Sequence, residues 1–163
     1  MVSLGVLLAV GIVLSMVEHS LPPLPLLPPG VKLGLSNIVA MFCVFFLGKT
    51  TAVAFNASKS LFVFLTRGPF AGILSLCGGL LSIGAVILLV TLFRNKISYV
   101  AVSVAGAIAH NLGQYAVVSL VLSAPYLITY LPVLLVSGAV MGVVTGTLMK
   151  VVLPALKRIS AQM

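Results

Sequence analysis

Apolar runs follow one another from residue 2 to residue 153, and Glu18 is the sole acidic residue. Such a chain has little choice of solvent. A water-soluble domain needs a charged surface, and here only 6% of residues are charged while 61% are hydrophobic. The sequence therefore predicts an all-α polytopic membrane protein, a bundle of six transmembrane helices in a single integral membrane domain over residues 1–163. In lipid every backbone polar group must be satisfied within the segment, which helices achieve. Ionisable groups inside the spans are costly to keep there, so they are the first candidates for function.

Six apolar segments can be drawn, over residues 2–21, 32–47, 52–65, 70–92, 97–122 and 131–153. The run LPPLPLLPPG (residues 21–30) breaks the first from the second, because proline lacks an N–H and clashes with the preceding turn. GKTT (48–51) reads as a tight turn, TRGP (66–69) and FRNK (93–96) close the third and fourth spans, and residues 123–125 interrupt the fifth. A basic tail follows over residues 154–163. No cleavable signal is expected, since the first segment lacks a basic leading region. One set of loops and ends collects Lys49, Arg94, Lys96, Lys150, Lys157 and Arg158, and the other holds Lys32 and Arg67. The richer set marks the cytoplasmic side, so both termini are expected inside and the proline-rich loop outside. Scattered basic residues without interleaved aromatics give no track for a nucleic acid.

Small residues recur every fourth position: Gly138, Gly142 and Gly146 in the sixth span, and Ala101, Ala105, Ala109 and Gly113 in the fifth. Such stripes let helix backbones approach closely in lipid, either inside the monomer or at a docking face for a partner. Cys43 and Cys77 lie in apolar spans and read as small buried hydrophobes.

Polar residues placed by depth gather between the midplane and the outer surface: Glu18, then Lys32, Ser36 and Asn37, then Asn56 and Lys59, then His110, Asn111 and Gln114. Facing inward, they form one ligand pocket. Lys32 beside the start of the second helix adds positive charge to unsatisfied N–H groups, which favours an anionic ligand group. Structural roles compete with these assignments. Glu18 could pair with His19, Lys32 or Lys59 as a lock, Lys59 could snorkel, and His110 with Asn111 could clamp two helices. LGKTT lacks the leading glycine of a P-loop, and neither histidine has the neighbours of a metal site, so no metal is expected. A chain without aspartate cannot supply the clustered carboxylates that hold Mg²⁺ on a diphosphate, and no catalytic residue is assigned.

Four runs carry a family resemblance: GVKLGLSNIVAMF (30–42), SLCGGLLS (75–82), SVAGAIAHNLGQY (103–115) and LPVLLVSGAVMGVVTG (131–146). Together they resemble the Gx transporter family, whose members are often labelled heptaprenyl diphosphate synthase component I. That family is similar to the substrate-binding S components of energy-coupling factor (ECF) vitamin transporters. The resemblance implies six helices, cytoplasmic termini, and a transmembrane coupling subunit with ATP-hydrolysing subunits as partners. It also implies an association with flavin-based electron transfer, so a bound flavin is the first ligand expected and no cofactor is intrinsic. S components often dock through an AxxxA pattern on the first helix; here Gly5 and Ala9 keep that spacing and Val13 ends it. Relatives often carry arginine where this chain has Lys59, which keeps charge and loses the bidentate fork. The expected function is a membrane subunit that captures a small vitamin-like metabolite. The alternatives are a non-transporting module of flavin- or quinone-linked electron transfer, and an accessory component of prenyl diphosphate synthesis.

Overall fold

A computed structural model of the chain describes residues 2–20, 34–93, 97–122 and 125–161. Six α-helices follow in order: α1 (Val2–Ser20), α2 (Leu35–Phe42), α3 (Lys49–Arg67), α4 (Pro69–Phe93), α5 (Tyr99–Leu122) and α6 (Leu131–Ala161). A π-helical turn (Cys43–Leu47) continues α2, and a 3₁₀ turn (Pro125–Tyr130) leads into α6. The chain is a helical, multi-pass membrane protein. Pro69–Phe93, Tyr99–Leu122 and Ile128–Pro154 are long and apolar enough to cross a bilayer. Gly5–Glu18 and Leu35–Leu47 are shorter apolar helices.

The distribution of polarity is that of a protein dissolved in lipid. Leu65, Leu88, Leu120, Val136 and Val151 stand exposed, while Asn56, Lys59, Ser60, Ser103 and Thr145 are buried. In water this arrangement would forfeit the hydrophobic driving force; in hydrocarbon the outer apolar surface is already solvated and polar groups are drawn inward.

α4 packs between α3 and α5, and α5 between α4 and α6. α1 lies against α2 and α3. α2 sits in the middle, with Val39, Phe42 and Cys43 essentially inaccessible. Together with its π turn it runs over Leu35–Leu47, a rise of about 19 Å, well short of a hydrocarbon core of about 30 Å. Its first residues lie inside the bundle: a Cβ placed on Gly34 would stand 3.9 Å from Thr145 Cγ2, deep in α6.

Glycines set the corners. Gly48 at φ 102° and Gly68 at φ 92° each separate two helices by one residue, in a backbone region that side chains disfavour. Three sequence expectations are corrected here. GKTT is not a turn: only Gly48 is, and Lys49–Thr51 open α3, where the Lys49 ammonium reaches Thr91 Oγ1 of α4 at 3.3 Å. α3 accordingly extends beyond the expected 52–65. The basic tail is not a separate segment, because α6 continues through Pro154 to Ala161. The proline-rich loop, Arg94 and Lys96 fall outside the described residues.

Candidate functional site

The start of α2 gathers polar groups from three helices. Gly34 adopts a left-handed conformation (φ 72°) and caps α2. Its N–H donates to Glu18 Oε1, from the last turn of α1. One turn on, the Lys59 ammonium of α3 donates to Ser36 Oγ at 3.3 Å and to Asn37 Oδ1 at 3.4 Å. Lys59 is only 5% exposed, so its charge is held inside the bundle and does not snorkel to an interface. A carboxylate at a helix N-terminus meets unsatisfied N–H groups and the positive end of the helix dipole. Glu18 thus brings one anionic group to this helix start from within the protein. Lys32, expected to favour an anionic ligand group here, lies outside the described residues.

These groups line a cavity of about 180 Å³. Glu18, Ser36, Asn37 and Lys59 form one wall, and His110, Asn111 and Gln114 of α5 form another. Seven of the nine residues expected to bind ligand thus meet in one place. Asn56 does not join them. It is 1% exposed, its Nδ2 donates to the Leu76 carbonyl at 3.3 Å, and a Cβ on Gly79 would stand 1.8 Å from its Oδ1. Asn56 is a clamp between α3 and α4. Its side chain points to α4 and does not line the cavity. Asn111 does two jobs, lining the cavity while its Nδ2 holds the Leu134 carbonyl of α6 at 2.9 Å.

Gly78 makes the α5 wall possible. A Cβ on Gly78 would stand 2.9 Å from Gln114 Cγ and 3.0 Å from His110 Cε1, so both side chains rest on α4 backbone.

Several cavity residues lie outside the set expected to bind ligand. Arg67 shares the α3 face of Lys59 and Val63 at intervals of four, and its Nη2 reaches the Ser15 carbonyl at 3.5 Å. That spacing could have found it. Ser82, Ser103 and Thr145 line the interior, with Ser103 and Thr145 hydroxyls 2.7 Å apart. Serines in apolar helices are ordinary, and only the pairing across α5 and α6 distinguishes these.

The small-residue stripes divide. Cβ atoms on Gly142 and Gly146 would stand 2.4 Å from Val104 Cα and 2.6 Å from Val100 Cα, and one on Gly138 would stand 3.0 Å from Asn111 Nδ2. All three glycines face α5 within the monomer, which corrects their assignment to partner docking: a surface already filled by α5 has no room for another chain. Gly5 and Ala9 lie on the exposed face of α1, and nothing comes within 4 Å of a Cβ on Gly5.

Comparison with known proteins agrees with this architecture. A family model described as heptaprenyl diphosphate synthase component I matches residues 7–152. No curated protein matches significantly. Among solved structures, the S component of a bacterial ECF transporter superposes with a TM-score of 0.59 at 19% identity, covering 99% of this chain and 94% of that one. At that identity the likeness establishes the fold.

Proposed function

The chain belongs to the heptaprenyl diphosphate synthase component I family, and from that membership and its S-component fold we propose that it is a substrate-binding membrane subunit for uptake of a small metabolite. The observation that carries the reading is the cavity itself. A membrane helix bundle has no packing reason to bury Lys59 and then leave about 180 Å³ beside it, lined by His110, Gln114 and Asn37. Ligand sites have that make-up, apolar walls with a few convergent polar groups. A synthase role for the chain on its own is disfavoured by its chemistry, since one glutamate and no aspartate cannot hold Mg²⁺ on a diphosphate.

A flavin, implied by the resemblance, is the first ligand to test. The described walls enclose about 180 Å³, more than the roughly 150 Å³ in which an apolar cavity binds benzene, which is room for a ring system. The sequence carries no P-loop, so ATP-driven uptake needs a coupling subunit and an ATP-hydrolysing module. The exposed Gly5–Ala9 face of α1 is where the coupling subunit would sit. The basic residues at the α3 start and α6 end support an orientation with both termini in the cytoplasm.

Native mass spectrometry of protein purified in mild detergent tests the reading, followed by titration with riboflavin. A retained small metabolite that competes with added ligand supports capture. A retained quinone points instead to an electron-transfer module. Protein that retains nothing and binds nothing from a panel of water-soluble metabolites refutes the proposal.

A further inference from the structure

The cavity is long. On α5 its lining runs from Ser103 to Gln114, about 16 Å of helix rise. His110, Asn111 and Gln114 hold one end of that lining, and Ser103 holds the other, about 10 Å of rise from His110. Two more hydroxyls join Ser103 there. A Cβ on Gly106, one turn from Ser103, would stand 3.2 Å from Ser82 Oγ of α4, and the Thr145 hydroxyl of α6 is 2.7 Å from that of Ser103.

The protons of this trio can be placed. Thr145 Oγ1 lies 2.8 Å from the Met141 carbonyl, which has no proton to give, so Thr145 donates to its own helix. Ser103 must then donate to Thr145 Oγ1, which leaves the Ser103 oxygen as an acceptor. Ser82 is only 8% exposed, yet its hydroxyl has no hydrogen-bond partner among the described residues. An unmatched hydroxyl in such a place costs more than an apolar group of the same shape, so packing alone gives no reason for a serine at 82.

Resting on the reading of this cavity as a substrate site, we infer that Ser82 and Ser103 form a second contact point for the substrate, taking an end that bears a hydroxyl or a carboxamide. Ser82 can donate and accept, and Ser103 accepts; a hydroxyl or carboxamide supplies the matching acceptor and donor. The substrate is then an extended molecule lying along α5, with hydrogen-bonding groups at both ends. The bond between Ser103 and Thr145 could by itself be a clamp between two helices. Ser82 makes no such bridge, and the assignment turns on it.

The test carries a fragment to the trio by disulfide tethering and needs no substrate. Full-length Ala107→Cys is made in a Cys77→Ala background; Cys43 is fully buried and stays unreactive. Position 107 lines the cavity one turn beyond Ser103, and a helical side chain leans back over the preceding turn, so an adduct there points toward Ser103. Protein in mild detergent is treated with 2-hydroxyethyl or propyl methanethiosulfonate, reagents alike in length that differ by one hydroxyl, and intact mass confirms a single adduct. The hydroxyethyl adduct is expected to melt about 2–4 °C above the propyl adduct, the scale of one hydrogen bond in a chain of this size. Adding Ser82→Ala should abolish that difference, and Ser103→Ala, made in parallel, should shrink it. Ser82→Ala without an adduct should leave Tm unchanged or raised, because no bond within the protein is lost. Equal melting of the two adducts, a higher Tm for the propyl adduct, a difference that survives Ser82→Ala, or a thiol at position 107 that neither reagent reaches overturns the inference. Failure of the substrate reading looks different: no metabolite is retained or bound, while the hydroxyethyl preference and its dependence on Ser82 stand.

Discussion

The α5–α6 contact offers the sharpest test of the packing described above. Gly142 is buried against Val104, and an added methyl would meet Val104 Cα at 2.4 Å, Val104 N at 2.9 Å and the Ser103 carbonyl at 3.1 Å. All three are backbone atoms, so no side chain can swing aside. Restoring ordinary contact requires the two helices to part by about 1 Å, and interiors packed to crystal density resist such shifts. Overpacking of this kind costs about 1–3 kcal/mol, and the rigid backbone target places Gly142→Ala in the upper part of that range. Replacing glycine by alanine in a helix returns up to about 1 kcal/mol. The net loss is about 1–2 kcal/mol, which for a chain of this size lowers Tm by about 3–6 °C. Parting the helices also stretches the 2.7 Å Ser103–Thr145 bond nearby. Thermal unfolding in detergent reads the effect through a thiol-reactive dye, because Cys43 is fully buried in the native protein. Gly84→Ala on α4 is the control: nothing lies within 4 Å of its Cβ, so the same chemical change should leave Tm unchanged or raise it. A Gly142→Ala protein that melts at or above wild type refutes the argument, and would return this stripe to the role of an outer docking face.

Lys59→Met should weaken binding of the retained metabolite by about 1.5–3 kcal/mol, the scale of a hydrogen bond to a charged group, read by competition titration; unchanged affinity would remove Lys59 from the site. Asn56→Leu should lower Tm through the lost bond to the Leu76 carbonyl and the clash with Gly79, with ligand affinity retained in the protein that remains folded. A change in affinity without a change in stability would return Asn56 to the cavity. For topology, Thr129→Cys should react with a membrane-impermeant thiol reagent on intact cells and Ser98→Cys should not, both positions being exposed and at opposite ends of α5 and its following turn; the reverse pattern inverts the orientation.

Much of the fold can be read from the one-dimensional pattern, because the forces that form it act locally. Apolar length fixes where helices run, and Gly48 and Gly68 fix where they stop. The cavity is harder. Glu18, Lys59 and the His110–Gln114 run stand out because charged and amide groups are rare in such helices, and the structure unites them. Asn56 stands out equally and lies elsewhere, since rarity reports burial and not direction. Ser103 and Thr145 are common residues in apolar segments, and their pairing depends on a helix crossing that spacing in one helix cannot show. The stripe on α6 shows the same limit. Gly142 and Gly146 meet α5, while Met141 and Thr145, each one residue earlier, line the cavity. A step of one residue, about 100° around the helix, separates scaffold from site.

Gly78 and Gly79 have a consequence for how this bundle can change over time. Through them α4 presents bare main chain in two directions at once, toward Asn56 of α3 and toward His110 and Gln114 of α5. The partition between these neighbours is one peptide thick there. A contact made on backbone has no rotamers to exchange and no side chain to mutate, so the spacing of α3, α4 and α5 is inherited by every variant that keeps the two glycines. Altered ligand preference then arises at the side chains that line the cavity, Ser75 and Ser82 of α4 among them, while the spacing of the three helices stays fixed.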